Sequence, residues 1–125
     1  MIDQVWPYVC EGVQRAISKT GGDYSAHLAW TACRSGNAFL FVVQGEDKIT
    51  AASIWRFETW ETGSKVRCLA LYGEGMDEWI KDMHEAVKTL ARQGGANGIV
   101  SEGREGWPKV FPDTKKLRSL YEEKI

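Results

Sequence analysis

Apolar positions recur along this chain with two different periods, and the change of period divides it into elements. Between residues 3 and 19, Val5, Val9, Val13, Ala16 and Ile17 fall three or four positions apart, with Trp6 beside them. That spacing is the stripe of a helix with one buried face. Asp3 is placed to cap its start, and Pro7 is tolerated in the first turn, where a missing N–H costs least. Gly21-Gly22 ends the helix, and Asp23 is a candidate cap for a shorter one over 24–35. Leu28, Trp30 and Ala32 would face inward there, and Gly36-Asn37 stops it.

From Ala38 the period shortens. Residues 38–44 (AFLFVVQ) form a nearly continuous apolar run of strand length, and Gly45-Glu46-Asp47 reads as a hairpin turn. In residues 48–60, Ile54, Arg56, Glu58 and Trp60 alternate against Trp55, Phe57 and Thr59, as a strand requires. A second turn over 61–64 leads to a third strand, 66–71. Three strands joined by two short turns make an antiparallel meander. Past Gly73-Glu74-Gly75 the helical period returns, in Trp79, Ile80, Met83, Ala86, Val87, Leu90 and Ala91, and runs to Gln93 before Gly94-Gly95. A helix there must carry the chain across the sheet to a further strand, 98–102, parallel to the third. Residues 103–112 read as an irregular or helical turn. Leu117, Ser119 and Tyr121 alternate with charged neighbours as a last strand over 114–124.

Composition narrows the class. The chain has 125 residues, 43% of them apolar, with six tryptophans. That is one domain with a real core and not a disordered composition. Its net charge of −1 is spread through the sequence without a basic block, which argues against nucleic acid as a partner. No apolar run approaches a membrane span, and Met1-Ile2-Asp3-Gln4 lacks the start of a signal peptide, so a cytoplasmic protein is expected. Cys10, Cys33 and Cys68 are too far apart for a metal or disulfide framework, and no metal is expected. His27 and His84 fall on presumed helices without a ligand-spaced partner.

The stretch 65–93 carries the candidate chemistry. A strand that passes through glycines into a helix turns free backbone N–H groups toward the turn, and the helix dipole adds positive charge there. Such a turn can hold an anion.

The order helix, helix, three-strand meander, crossover helix, strand, short helix, strand resembles the GCN5-related N-acetyltransferase (GNAT) fold, an α+β architecture on a mixed sheet, from Tyr24 to the end. The resemblance implies that the strand before the long helix splays from the next and that acetyl-CoA enters the notch. The pyrophosphate would then rest on the turn, held through Leu71, Gly73, Gly75 and Met76. In the family that turn reads Arg or Gln, two residues, Gly, one residue, Gly or Ala. Here the glycines keep their spacing, Ala70 replaces the upstream Arg or Gln, and Glu74 puts a negative charge in the loop. A backbone carbonyl and N–H of the splayed strand would align the thioester. Glu58 is the candidate base toward an amine acceptor. Tyr72 is the candidate acid, since no tyrosine follows Trp107 before the last strand. The implied activity is acyl-CoA-dependent N-acyl transfer. The turn Gly103-Arg104-Glu105-Gly106-Trp107 is also similar to a branch of acetyltransferase-like proteins from bacteriophage genomes. Arg104 precedes a carboxylate and could clamp an anion bidentately or make a local ion pair. The alternative function is then a non-catalytic virion, assembly or host-interaction module, in the virion or the host cytoplasm, that meets a protein partner through exposed tryptophans.

Overall fold

The computed structural model of the chain describes residues 2–19, 24–102, 111, 113–119 and 121–125. Its elements follow in the order α1 (Ile2–Ser18), α2 (Ala26–Arg34), β1 (Ala38–Gln44), β2 (Ile49–Trp60), β3 (Gly63–Gly73), α3 (Met76–Gln93) and β4 (Gly98–Val100). The four strands form one sheet in sequence order. The first three are antiparallel, and β4 joins parallel to β3 at the far end of the α3 crossover.

Each face of the sheet carries its own core. Val9, Val13 and Ile17 of α1 and Ala29 and Ala32 of α2 pack on Ala52, Ile54, Leu69 and Ala70. On the opposite face Trp79, Met83, Val87 and Ala91 of α3 pack on Ala51, Trp55 and Val66. Both helical stripes follow the predicted spacing, except that Leu90 of α3 is exposed. Burying a side chain of this kind contributes about 1.5–3 kcal/mol, so α3 is held chiefly by tertiary contact. A buried polar chain crosses the second core: the Trp55 indole donates to Ser53 Oγ, which donates to Met83 Sδ. No helix among the described residues is long and apolar enough to cross a membrane.

Several local expectations are corrected. Ser25, not Asp23, caps α2, its hydroxyl accepting from the Leu28 N–H; Asp23, like Gly21 and Gly22, lies outside the described residues. That cap sets the helix so that small Ala29 and Ala32 face the core, while Leu28 is 48% exposed. Asp3 lies within α1 and joins it to α2, accepting from the Trp30 indole and pairing with Arg34. Pro7 sits inside α1, past its first turn. Trp55 and Trp79 are buried, and Trp6, Trp30 and Trp60 are half-buried, so none of the five described tryptophans is an exposed partner contact. Trp107 lies outside the described residues, as does the rest of 103–110, where a short helix and Arg104 were expected. The last strand is not formed. The described residues of 113–119 and 121–125 are irregular and exposed. The segment is rich in charge, and its Leu117, Tyr121 and Ile125 are all exposed; among the described residues the Arg118 guanidinium lies over the Trp60 ring.

Candidate active site

Strand β3 runs for eleven residues, but β4 accompanies only its first part. Lys65, Val66 and Arg67 pair with Gly98, Ile99 and Val100, where β4 ends. Among the described residues, 68–73 of β3 therefore have a sheet neighbour on the β2 side alone. Just past the fork the β2–β3 register slips: Ala70 faces Ile54 and Cys68 faces Trp55, which leaves Leu69 unmatched. Leu69 and Ala70 consequently both join the core under α1 and α2, while Cys68 joins the core under α3. This is a β-bulge, which interrupts the ladder and re-aims backbone groups. Where β4 ends beside this bulge, main-chain groups of β3 on that side have no strand partner among the described residues.

The α1–α2 side of the fork carries a chain of charge. Arg56 and Arg67 are cross-strand neighbours, an arrangement that repels unless something lies between them. Glu58 supplies it. Its Oε2 accepts from Arg56 at 2.5 Å and from Arg67 at 2.6 Å, and its Oε1 accepts from the Trp60 indole at 3.0 Å. Arg67 extends the chain across the fork to Oε1 of Glu102, two residues beyond β4, at 2.5 Å. Arg56 also donates to the Tyr24 hydroxyl, and its buried Nε has no hydrogen-bond partner among the described residues. Burial pushes the Glu58 carboxyl up, but the hydrogen bonds from Arg67, Trp60 and Arg56 outweigh it and hold it down at about 2. A carboxylate so engaged is a weak proton acceptor at neutral pH. Glu102 is different: its side chain keeps 35% exposure against 14% for Glu58.

Tyr72 is turned to the other helices. Its ring lies on the α1 backbone, where a Cβ on Gly12 would come within 2.3 Å of Cζ. Its hydroxyl donates to the Val9 carbonyl at 3.4 Å, and burial raises its pKa. The Cys68 thiol beside the bulge is pushed up by burial to about 12, which removes it as a nucleophile.

At the open end β3 stops at Gly73, whose φ of +148° and close approach to Ala51 leave no room for a side chain. Gly75 follows in the left-handed region at φ +65° and caps α3 without a side-chain hydrogen bond. Here the glycine spacing read from the sequence does place backbone amides at a helix start. Those of Gly75, Met76 and Asp77 have no partner among the described residues, whereas that of Glu74 is taken by the Thr50 carbonyl. The Trp79 indole holds the Glu74 carbonyl at 2.8 Å. Met76 is half-buried in the α3 core, and so is Leu71. Ala70, at the upstream signature position, is buried under α1 and α2 and does not face the turn.

The sequence reading gave β3 as 66–71, short of the observed Gly63–Gly73, and did not single out Arg67, Asp77, Glu78 or Glu102. The alternation of residues 66–71 placed Arg67 on the face of Glu58, which was a usable signal. Glu102 was not separable from an ordinary strand-end carboxylate. Among the described residues no cluster of metal-ligating side chains occurs.

No protein-family profile matches the chain, and no curated protein matches it in sequence. Solved structures do match over nearly its whole length. A predicted acetyltransferase from Clostridium acetobutylicum, solved with acetyl-CoA, superposes with a TM-score of 0.75 at 11% identity, covering 99% of this chain and 92% of that one. The glucosamine-6-phosphate N-acetyltransferase of Arabidopsis thaliana gives 0.64 at 14% identity, covering 100% and 93%. An aminoglycoside acetyltransferase from an uncultured soil metagenomic sample, in complex with sisomicin, gives 0.61 at 10% identity, covering 98% and 90%. The parallel strand that follows the crossover helix, the preceding meander and these superpositions show that the chain has the GCN5-related N-acetyltransferase fold.

Proposed function

We propose that this protein is an N-acyltransferase that moves an acyl group from a pantetheine thioester of the acyl-CoA type to an amine, in the cytoplasm. The fork carries the reading: β3 and β4 pair over three residues, and β4 ends beside a bulge. The open edge of β3 there fits a pantetheine arm, because that arm bears amides able to pair with the main-chain groups of residues 68–71 as a further strand would. Leu71 and Met76, both half-buried, would flank it. The nucleotide end fits less well, since the turn at Gly73 and Gly75 is surrounded by carboxylates. When bound, the donor supplies an activated acyl carbon.

In the reaction the amine nitrogen attacks the thioester carbonyl carbon. The new C–N bond forms, the C–S bond breaks, the amine gives up a proton, and the departing sulfur gains one. A main-chain N–H at the bulge polarises the carbonyl as negative charge builds on its oxygen. Glu102, half-buried beyond the end of β4 and engaged through one oxygen by Arg67, is the carboxylate placed to take the amine's proton. Glu58 holds Arg67, and through it Glu102, in place, so its role is positioning. Tyr72 orders the end of β3 against α1, and the departing sulfur is protonated from solvent.

The test is thiol release. The purified protein, acetyl-CoA and a panel of amines, beginning with glucosamine-6-phosphate and an aminoglycoside, should release free thiol in an amine-dependent way. Absence of release above the uncatalysed background, together with absence of binding heat at millimolar thioester, would reject the proposal. A second reading is favoured by the engagement of Glu58 and Tyr72: a binding module on the same fold, without turnover. Thioester binding without thiol release from any amine would support it.

A further inference from the structure

The turn that opens α3 is negatively charged where a nucleotide would place its pyrophosphate. Glu74, Asp77 and Glu78 stand within five residues, all exposed, and among the described residues none of them forms an ion pair. Glu78 is the third residue of the helix, and its carboxylate folds back over the cap: a Cβ on Gly75 would lie 3.7 Å from Oε2. A carboxylate at that position stabilises the positive helix end, so the chain already carries its own anion there. The donor set is also reduced. The Glu74 N–H is committed to Thr50, and the Trp79 indole on the Glu74 carbonyl fixes that peptide's orientation. The basic or amide side chain that could offset the acids is replaced by buried Ala70.

We propose that this turn repels a nucleotide pyrophosphate, so that the acyl thioester is held by its pantetheine arm alone and a donor without the nucleotide serves as well as acetyl-CoA. The inference rests on the acyl-transfer reading above and narrows its donor. Three carboxylates about 7 Å from two phosphates, screened at physiological salt, weaken binding by about tenfold. Screening sets the sign of the salt effect. A phosphate-binding cradle loses affinity as salt rises, whereas a repelling turn gains it.

The experiment titrates the full chain with acetyl-CoA and with S-acetyl-pantetheine, at about 20 mM and about 200 mM salt. The wild-type protein should bind the two thioesters within about threefold of each other at the higher salt. Its affinity for acetyl-CoA should rise about three- to tenfold between the two salt concentrations, with S-acetyl-pantetheine unmoved. The variant carrying Glu74→Gln, Asp77→Asn and Glu78→Gln should bind acetyl-CoA about tenfold more tightly and lose that salt effect, again with S-acetyl-pantetheine unmoved. Glu78→Gln alone should move in the same direction by a smaller factor, which keeps the test available if the triple variant does not fold. Acetyl-CoA binding tenfold or more tighter than S-acetyl-pantetheine, and weakening with salt, would overturn the inference and leave acyl transfer standing. Failure of both thioesters to bind would overturn both.

Discussion

The two ends of β3 solve opposite electrostatic problems. At the paired end, two guanidinium groups face each other across β2 and β3, and every charge is matched: Glu58 bridges them and Glu102 takes the free arm of Arg67. At the open end three carboxylates gather at a helix start with no cation in contact among the described residues. The first arrangement spends charge on order. The second leaves charge facing solvent, where it can select among ligands. A site between such ends has a fixed floor and a charged mouth.

The largest effect that would break this contrast is loss of the bridge. Glu58→Ala leaves two partly buried guanidinium groups without their shared anion and should cost about 3 kcal/mol in denaturant unfolding; a loss below about 1 kcal/mol would mean that the network does not order the fork. The same bridge predicts an acid limit. The folded-state pKa of Glu58 is depressed from 4.5 to about 2. Its contribution is therefore complete above pH 4.5 and fades as pH falls toward about 2. Wild-type stability should drop across that window, and Glu58→Gln should flatten the drop. Next in size is Glu102→Gln, which should lower the amine-dependent turnover by about 100-fold while moving KM far less. Equal loss in kcat with Glu58→Gln would transfer the proton-accepting role back to Glu58.

Gly12→Ala drives a methyl into the Tyr72 ring and should cost about 2 kcal/mol, relieved when Tyr72 is also replaced by Val. The smallest expected effect is that of Tyr72→Phe. The hydroxyl's bond to the Val9 carbonyl is long, so stability should change by about 0.5 kcal/mol and turnover by less than about twofold. A loss of turnover beyond about tenfold would make that hydroxyl the proton donor after all.

Much of the architecture was legible because it rests on period. The stripes Val9, Val13, Ile17 and Trp79, Met83, Val87, Ala91 are buried as their spacing requires, and all four strands up to Val100 form where apolar runs or alternation were read, with β3 longer and β4 shorter than expected. The face of α2 was not legible, because a cap three residues upstream of Leu28 set its rotation and small alanines, which carry little pattern signal, face the core. The tail read as a strand because alternation alone says nothing about whether a partner edge exists. At the site, the glycine turn and the carboxylate on β2 were visible in the sequence. The state of that carboxylate was not, because it depends on Arg67, which only the β2–β3 register brings within 2.6 Å. The carboxylates around α3 were visible as letters, but Glu78 matters only because the helix start folds its side chain over Gly75.

The central claim, that the fork between β3 and β4 receives a thioester arm, is tested most directly by amide NMR of the labelled protein during titration with S-acetyl-pantetheine. The account predicts saturable shifts confined to Cys68, Leu69, Ala70 and Leu71 on one side and to Val100, Ser101 and Glu102 on the other. An unchanged spectrum at millimolar ligand, or shifts located on α1 and α2 with the fork silent, would contradict it.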